Sequence, residues 1–502
     1  MKKILLILVA AASLASCEDA TEIIQPGELL ADNAFRTVDD LKTGTFGVYN
    51  AALSSSEVSF TSQFTDEIAV GLVGGSGSAL HGYALNINTG LASTIWINNY
   101  NLILRANLLL EAAEGIVPVD AAEQAVYDES VAEALALRAL GHSKLLSFYT
   151  PDMSDNASFG IIALDFVPSP TEKFGRNTVE EVMTLINADL DRSESLFLAA
   201  GTSADQDFID AKFVRALRAR MALYNKDYAT AVTAANSVLA SYSFPTSANE
   251  ANYRQVWQNI VGAGQGEVIF KLKSTLNNGV RPGQIYNTNA SNIDGAVNYE
   301  MSRNLFDVLQ ANATAFGDIR RNVFLDPTSR ISPDYAAEAN PRTSDVLIVD
   351  KYPGNPALSG LVAGYTNDIQ VIRVVEMYFI LAEEAASRGA FTEAAGFIKR
   401  VRDARYTTPA PAPVYTSQAE AFSDILAERK IELFAEGHRY IDVKRIGELA
   451  NEGYDRNEID CTLYPSAECD LPFNDFRVEA LPIPLNETRT NQVIAAQQNR
   501  GY

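Results

Sequence analysis

Apolar residues recur at three-and-four spacing, with charged residues between them, over Ile95–Ala113, Ala122–Tyr149, Thr178–Phe197, Lys212–Leu239, Ile372–Arg405 and Ser417–Glu452. That period turns one face of a helix to a core and the other to water, so these stretches predict amphipathic helices. Thr178 with Glu181 and Ser417 with Glu420 have the spacing of capping boxes and place two helix starts. Between Phe244 and Asp368 the texture changes. Segments rich in Gly, Asn and Pro surround two short apolar runs, Val268–Leu272 and Val346–Val349, which read as strands. Ser54–Thr94 is also loop-like; its Gly71–Gly77 run is followed by no Gly-Lys-Ser/Thr and is not a phosphate loop. The pattern predicts a mainly α chain whose long loops, carried on a helical scaffold, hold the binding residues.

Two helical stretches match without a gap at an offset of 163 residues, Ala219–Val238 with Ala382–Val401. In each, small residues stand where two helices would approach, a polar turn follows, and an aromatic (Tyr228, Phe391) lies three residues before an alanine. The pattern resembles a tetratricopeptide repeat, whose helix pairs bury their faces only by stacking on neighbours. Two copies fall short of a free-standing stack. Other helices, such as Ala122–Tyr149, must complete it.

The first residues differ from all of this. Lys2 and Lys3 precede nine apolar residues, Ile4–Ala12, and then Leu14-Ala15-Ser16-Cys17. Nine is about half of the roughly 20 residues a spanning helix needs, so the segment reads as an export leader, 1–16, to be cleaved. Its ending resembles the lipobox of bacterial lipoproteins, which implies a lipid on Cys17 and a tether over 17–30. Glu18 and Asp19 after the cysteine resemble surface-export signals of some diderm lipoproteins. The remaining cysteines, Cys461 and Cys469, are an even pair in an expected oxidising compartment and predict a disulfide, with free or metal-binding thiols as the alternative.

Charge narrows the function. Of 502 residues, 63 are Asp or Glu against 40 Lys or Arg, and 47% are hydrophobic, enough for a core. The net charge of -23 repels polyanions over most of the surface, so nucleic acid is not an expected partner. His81, His142 and His438 are the only histidines, and none is spaced with another as metal ligands are. No metal site or cofactor is expected. A carboxylate pair needs only spatial proximity, so a glycosidase has no support beyond the abundance of acids, and an enzyme is not expected. Glu428–Arg445 is dense in charge, with Glu432, Glu436 and Arg439 on one helical face; ion pairs explain it without a ligand.

The order of motifs in the last third is distinctive. Ile372-Arg373, Glu376-Met377-Tyr378 and Ala382-Glu383 precede Val401-Arg402, the Glu428–Arg445 run, and Ala480-Leu481-Pro482-Ile483-Pro484 with Asn491. In the first half stand Trp96, Tyr100, Ile103 and Asn107, then Leu137-Arg138-Ala139 before Tyr149. Together these resemble the SusD/RagB family of nutrient-uptake lipoproteins over nearly the whole mature chain; His438 and Val443 depart from its usual residues. The resemblance implies one helical domain over 31–502, with an N-terminal half (31–240), a loop-rich variable region (241–370) and a C-terminal half (371–502), built on four tetratricopeptide-like units. It implies an outer-membrane, cell-surface lipoprotein that binds an oligosaccharide and delivers it to a SusC-type TonB-dependent transporter. A peptide-binding uptake protein of the same fold and a periplasmic repeat scaffold are the alternatives.

A sugar offers a C–H face to aromatic planes and a rim of hydroxyls to amides and charges. Trp257, in an amphipathic segment, reads as core. Trp96, at a helix start after the Ser- and Gly-rich loops and with Asn98, Asn99 and Asn101 beside it, is the candidate stacking platform, with a packing role as the equal alternative. Tyr83 and His81 on the preceding loop, and Tyr286, Asn287 and Tyr299 in the variable region, complete the expected ligand-binding set with Trp96 and Asn101.

Overall fold

The computed structural model describes residues 35–71, 79–201, 206–258, 266–278, 280–287, 297–339, 341, 344–360, 363–461 and 468–502. The leader, Cys17 and the tether to residue 30 lie outside the described residues, as does most of the Gly71–Gly77 run.

The main helices are α1 (Val38–Ala52), α2 (Ser56–Phe64), α3 (Gly90–Ala113), α4 (Ala121–Tyr149), α5 (Val179–Ala200), α6 (Ala211–Tyr224) and α7 (Tyr228–Leu239). They continue with α8 (Glu250–Trp257), α9 (Arg303–Phe316), α10 (Arg320–Phe324), α11 (Val375–Ser387), α12 (Phe391–Asp403), α13 (Gln418–Glu432) and α14 (Arg439–Ala450). Four hairpins, α3–α4, α6–α7, α11–α12 and α13–α14, stack in order; α5 packs between α4 and α6, and α7 carries the stack across to α11. From Ser130 to Tyr149 all but one residue of α4 is buried, which explains its apolar face-all-round sequence. It is the axis on which α1, α3 and α5 pack.

Three of the helical stretches are each divided, two of them at the polar turn that the repeat pattern predicts. Lys212–Leu239 turns at Asn225–Asp227, and Ser417–Glu452 turns at Leu433–His438, where Ala435 and Gly437 are left-handed. Within Ile372–Arg405, the first two residues belong to a strand and the rest turns at Arg388–Ala390. The Thr178 box is complete: its side chain accepts the Glu181 N–H and the Glu181 carboxylate accepts the Thr178 N–H. The Ser417 box is only half made, because the Glu420 carboxylate accepts from Thr416 instead.

Two small antiparallel sheets tie the variable region to the helices. β1 (Ile68–Val70) pairs with β3 (Tyr299–Met301), Ile68 opposite Met301, and β2 (Val268–Leu272) pairs with β4 (Ile369–Arg373), Leu272 opposite Ile369. Val346–Val349, expected as a strand, makes only isolated bridges to Arg330, Glu300 and Leu325.

Behind these sheets lies a buried network of charge. Glu432, at the end of α13, accepts from Arg373 at 2.9 Å, Arg405 at 2.9 Å, Arg320 at 3.3 Å and the Tyr253 hydroxyl at 3.1 Å. Glu436 holds Arg373 and Lys351, each at 2.7 Å. Burial opposes ionisation of Glu432, but the guanidinium groups outweigh it and hold its carboxyl well below the usual range. The charged Glu428–Arg445 sequence is therefore structural in the sense expected, although Arg439 leaves that face and pairs with Asp66 at 2.8 Å.

Candidate functional site

Where α2, the first turns of α3 and the segments on either side of β3 meet, they enclose an open groove of about 540 Å³. Its floor is Ser54, Ser55, Ser56 and Ser59 at the start of α2, with Gln63; one wall is Leu91, Thr94 and Asn98 of α3, and the other is Val280, Arg281, Gln284 and Ile285 with Asn298 and Tyr299. The β1–β3 pairing sets the second wall in place, since Tyr299 stands opposite Val70 just after α2. There the Tyr299 hydroxyl donates to the Gln63 amide oxygen at 3.1 Å. Asn298 fixes the same wall from behind, its N–H donating to Tyr286 O at 2.7 Å and its side chain to Ile285 O at 3.1 Å.

Hydroxyls and amides in the floor are joined in a chain. Asn98 donates to Ser54 Oγ at 3.0 Å, Ser54 and Ser56 share a hydrogen bond of 2.7 Å, and Ser56 donates to Glu57 at 3.2 Å. Glu57 lies beneath the floor. Burial resists its ionisation, but Lys144 Nζ at 3.1 Å and the Asn99 amide at 3.1 Å outweigh that and hold its carboxyl below the ordinary range. Ser54 also borders a smaller pocket of about 80 Å³ lined by Lys144, Arg220, Gln370 and His438. Burial keeps His438 neutral, pushing it down to about 4.

Of the expected ligand-binding residues, Tyr299 lines this groove and Asn101 is exposed on α3 outside its lining. The others are corrected by their burial. Trp96 is 3% exposed, its ring held between Tyr100 at 4.7 Å and Tyr149 at 4.9 Å, so it has no face to offer a sugar. Tyr83 lies under the Arg456 guanidinium, 4.0 Å from its ring centre, and donates to Cys469 O. His81 is buried with Nε2 3.5 Å from Asp460 O. Tyr286 bonds Ser62 at 3.0 Å and stacks on Tyr352, and Asn287 bridges Val297. Sequence reasoning reached the helix end and strand that border this groove, naming Tyr299 on the strand but the buried Trp96 on the helix. It missed Ser54, Ser56, Ser59, Gln63, Arg281, Gln284 and Asn298; the serine-rich start of α2 was the signal available for the floor. Cys461 and Cys469 are disulfide-bonded, with Cα atoms 5.7 Å apart.

This arrangement offers hydrogen-bond donors and acceptors, one tyrosine and a few apolar side chains. Among the described residues no group of three or more His, Cys, Asp or Glu could hold a metal ion. The geometry is that of a polar binding groove.

Comparison with known proteins places the chain in a family. Residues 327–502 match the family described as SusD family, and residues 38–208 match the one described as starch-binding associating with outer membrane. A SusD-like protein, P38, from Formosa agariphila is 24% identical over 478 residues, 88% of this chain and 90% of that one. Among solved structures, a SusD superfamily protein from Bacteroides thetaiotaomicron superposes with a TM-score of 0.73 at 23% identity, covering 92% of this chain and 99% of that one. A laminarin binding SusD-like protein gives 0.66 at 19% identity, covering 93% and 100%. With the mainly helical fold and both ends of the chain matched, the protein belongs to the SusD/RagB family.

Proposed function

We propose that this protein is a glycan-binding lipoprotein of the outer-membrane surface, held by a lipid on Cys17, that captures an oligosaccharide in the Ser54–Tyr299 groove and passes it to a SusC-type TonB-dependent transporter. The observation that carries the reading is the groove itself: its hydroxyls and amides match a rim of sugar hydroxyls, while Tyr299 and Leu91 can meet the C–H faces. The laminarin-binding relative and the family's starch-binding description support glycan over peptide. Binding without turnover is part of this reading, supported by the binding descriptions of the family and of the laminarin-binding neighbour. A lipid tether would raise the effective concentration of the protein at its transporter, so the pairwise interface need not be tight.

Calorimetry against oligosaccharide and peptide panels tests it. Asn98→Ala and Tyr299→Ala are expected to weaken a bound glycan by more than about tenfold, about 1.4 kcal/mol, with the melting temperature nearly unchanged. Unaltered affinity in both variants would remove the groove as the site, and binding of peptides alone would favour the peptide-uptake reading. Copurification of the native protein with a large outer-membrane barrel, and loss of membrane retention in Cys17→Ala, test the partner and the anchor.

A further inference from the structure

The groove differs from its surroundings in charge. Asp and Glu outnumber Lys and Arg by 63 to 40 in the chain, and two of the other open clefts reflect this. The cleft beside Arg439 sets Asp66, Asp307, Glu452 and Asp455 against Arg439 and Lys430, and the one beside Lys444 sets four acids against three bases, while in the one beside Arg405 Glu267 balances Arg405. Among the described residues, the Ser54–Tyr299 groove has no carboxylate in its lining, and Arg281 is its one Lys or Arg there.

Arg281 is also short of partners. It makes no ion pair among the described residues; Nη2 reaches only the Leu276 carbonyl at 3.4 Å, and Nε is buried without an acceptor. A guanidinium is a fork of five donors that matches a carboxylate or sulfate better than a single hydroxyl, and buried donors are seldom left unused. Glu57, beneath the floor, is turned inward and matched by Lys144 and Asn99, so it does not cancel Arg281. The start of α2 adds little: Ser54 Oγ accepts the Ser56 N–H at 3.1 Å and Glu57 stands in the first turn, so the cation at the groove is Arg281. Long-range repulsion by the acidic chain is screened beyond about 8 Å in physiological salt, so the local cation decides.

We infer that the groove takes an acidic oligosaccharide, with Arg281 receiving its carboxylate or sulfate group while Asn98, Ser54, Asn298 and Tyr299 hold the ring hydroxyls. This rests on the groove being the glycan site and specifies the class of sugar.

The test is a titration of the mature protein with three probes: neutral laminarin oligosaccharides, oligogalacturonides bearing carboxylates, and carrageenan oligosaccharides bearing sulfates. At least one acidic probe should bind about tenfold or more tighter than the neutral one, and its affinity should fall with added salt. Which acidic probe binds identifies the anion. Arg281→Gln should collapse the acidic-to-neutral ratio toward one, and Arg281→Lys should keep part of it. Neutral probes binding as tightly as acidic ones, with the ratio unmoved by Arg281→Gln, overturns the inference; sensitivity of the neutral complex to Asn98→Ala would then leave the groove as a glycan site. No binding by any probe, in wild type or variants, overturns both.

Discussion

Lys226 and Gly389 occupy equivalent places in the turns of two helical hairpins, 163 residues apart, and both are left-handed, with φ of 61° and 77°. The turns agree bond for bond. Asp227 N–H donates to Ala222 O and Ala390 N–H to Ala385 O, each at 2.8 Å, and Asn225 to Met221 O is repeated by Arg388 to Glu384 O. The repeat seen in the sequence is thus a repeat of backbone geometry, with glycine in one copy and lysine in the other.

A side chain at a left-handed position costs about 1–2 kcal/mol in sterics, partly offset by the entropy that glycine loses on folding. Gly389→Ala is expected to cost about 1 kcal/mol from the backbone alone, since a Cβ there meets nothing within 4 Å. Lys226→Gly should be neutral or slightly stabilising. Urea unfolding of the two variants checks the pair, and a large loss from Lys226→Gly would contradict the strain.

The charge network predicts a larger effect. Glu432→Ala leaves Arg320, Arg373 and Arg405 facing one another in the core and should cost about 3–5 kcal/mol. Thermal unfolding is the measurement; a loss below about 1 kcal/mol would mean that water or the neighbouring acids take over.

Trp96→Ala should act as a core truncation, at about 3–5 kcal/mol, through loss of packing against Tyr100 and Tyr149. A folded variant of wild-type stability but weaker glycan affinity would instead return Trp96 to the binding surface.

His142 supplies a pH dependence. Its Nδ1 meets Arg138 O at 3.0 Å and its Nε2 accepts the Leu164 N–H at 3.1 Å, so the neutral tautomer is fixed. Burial, helped by the Arg138 charge, pushes it down to about 3. A depressed histidine contributes stability that is fully present above about pH 6.5 and is lost as pH falls toward 3, because the unfolded chain binds the proton first. His142→Gln should flatten the stability profile between pH 6.5 and 4; an unchanged slope would assign acid sensitivity to other groups.

The helices were legible in the sequence because their faces alternate between core and water, and β2 because its boundaries are sharp. Hairpin turns such as Leu433–His438 were hidden: buried ion pairs leave the sequence as charged as an exposed helix, so periodicity runs through the break. The groove was half legible for a related reason. Asn98 and Trp96 are two positions apart on α3 and point to opposite surroundings, and only the packing of Tyr149 decides which of the two is left to solvent. Arg281 could not be singled out from sequence, since its distinction is the absence of acids in space.

Asp66, just after α2, is held by Arg439 and Lys430, and other bonds across the chain repeat the theme: Leu481 N–H donates to Phe148 O, and Arg176 is gripped by Gln497 and Asn499. The early helices therefore cannot finish closing until residues near the end of the chain have arrived. Such long-separation contacts make folding slow and late. Under the export reading proposed above, that delay would keep the first half open until the residues that lock it are present.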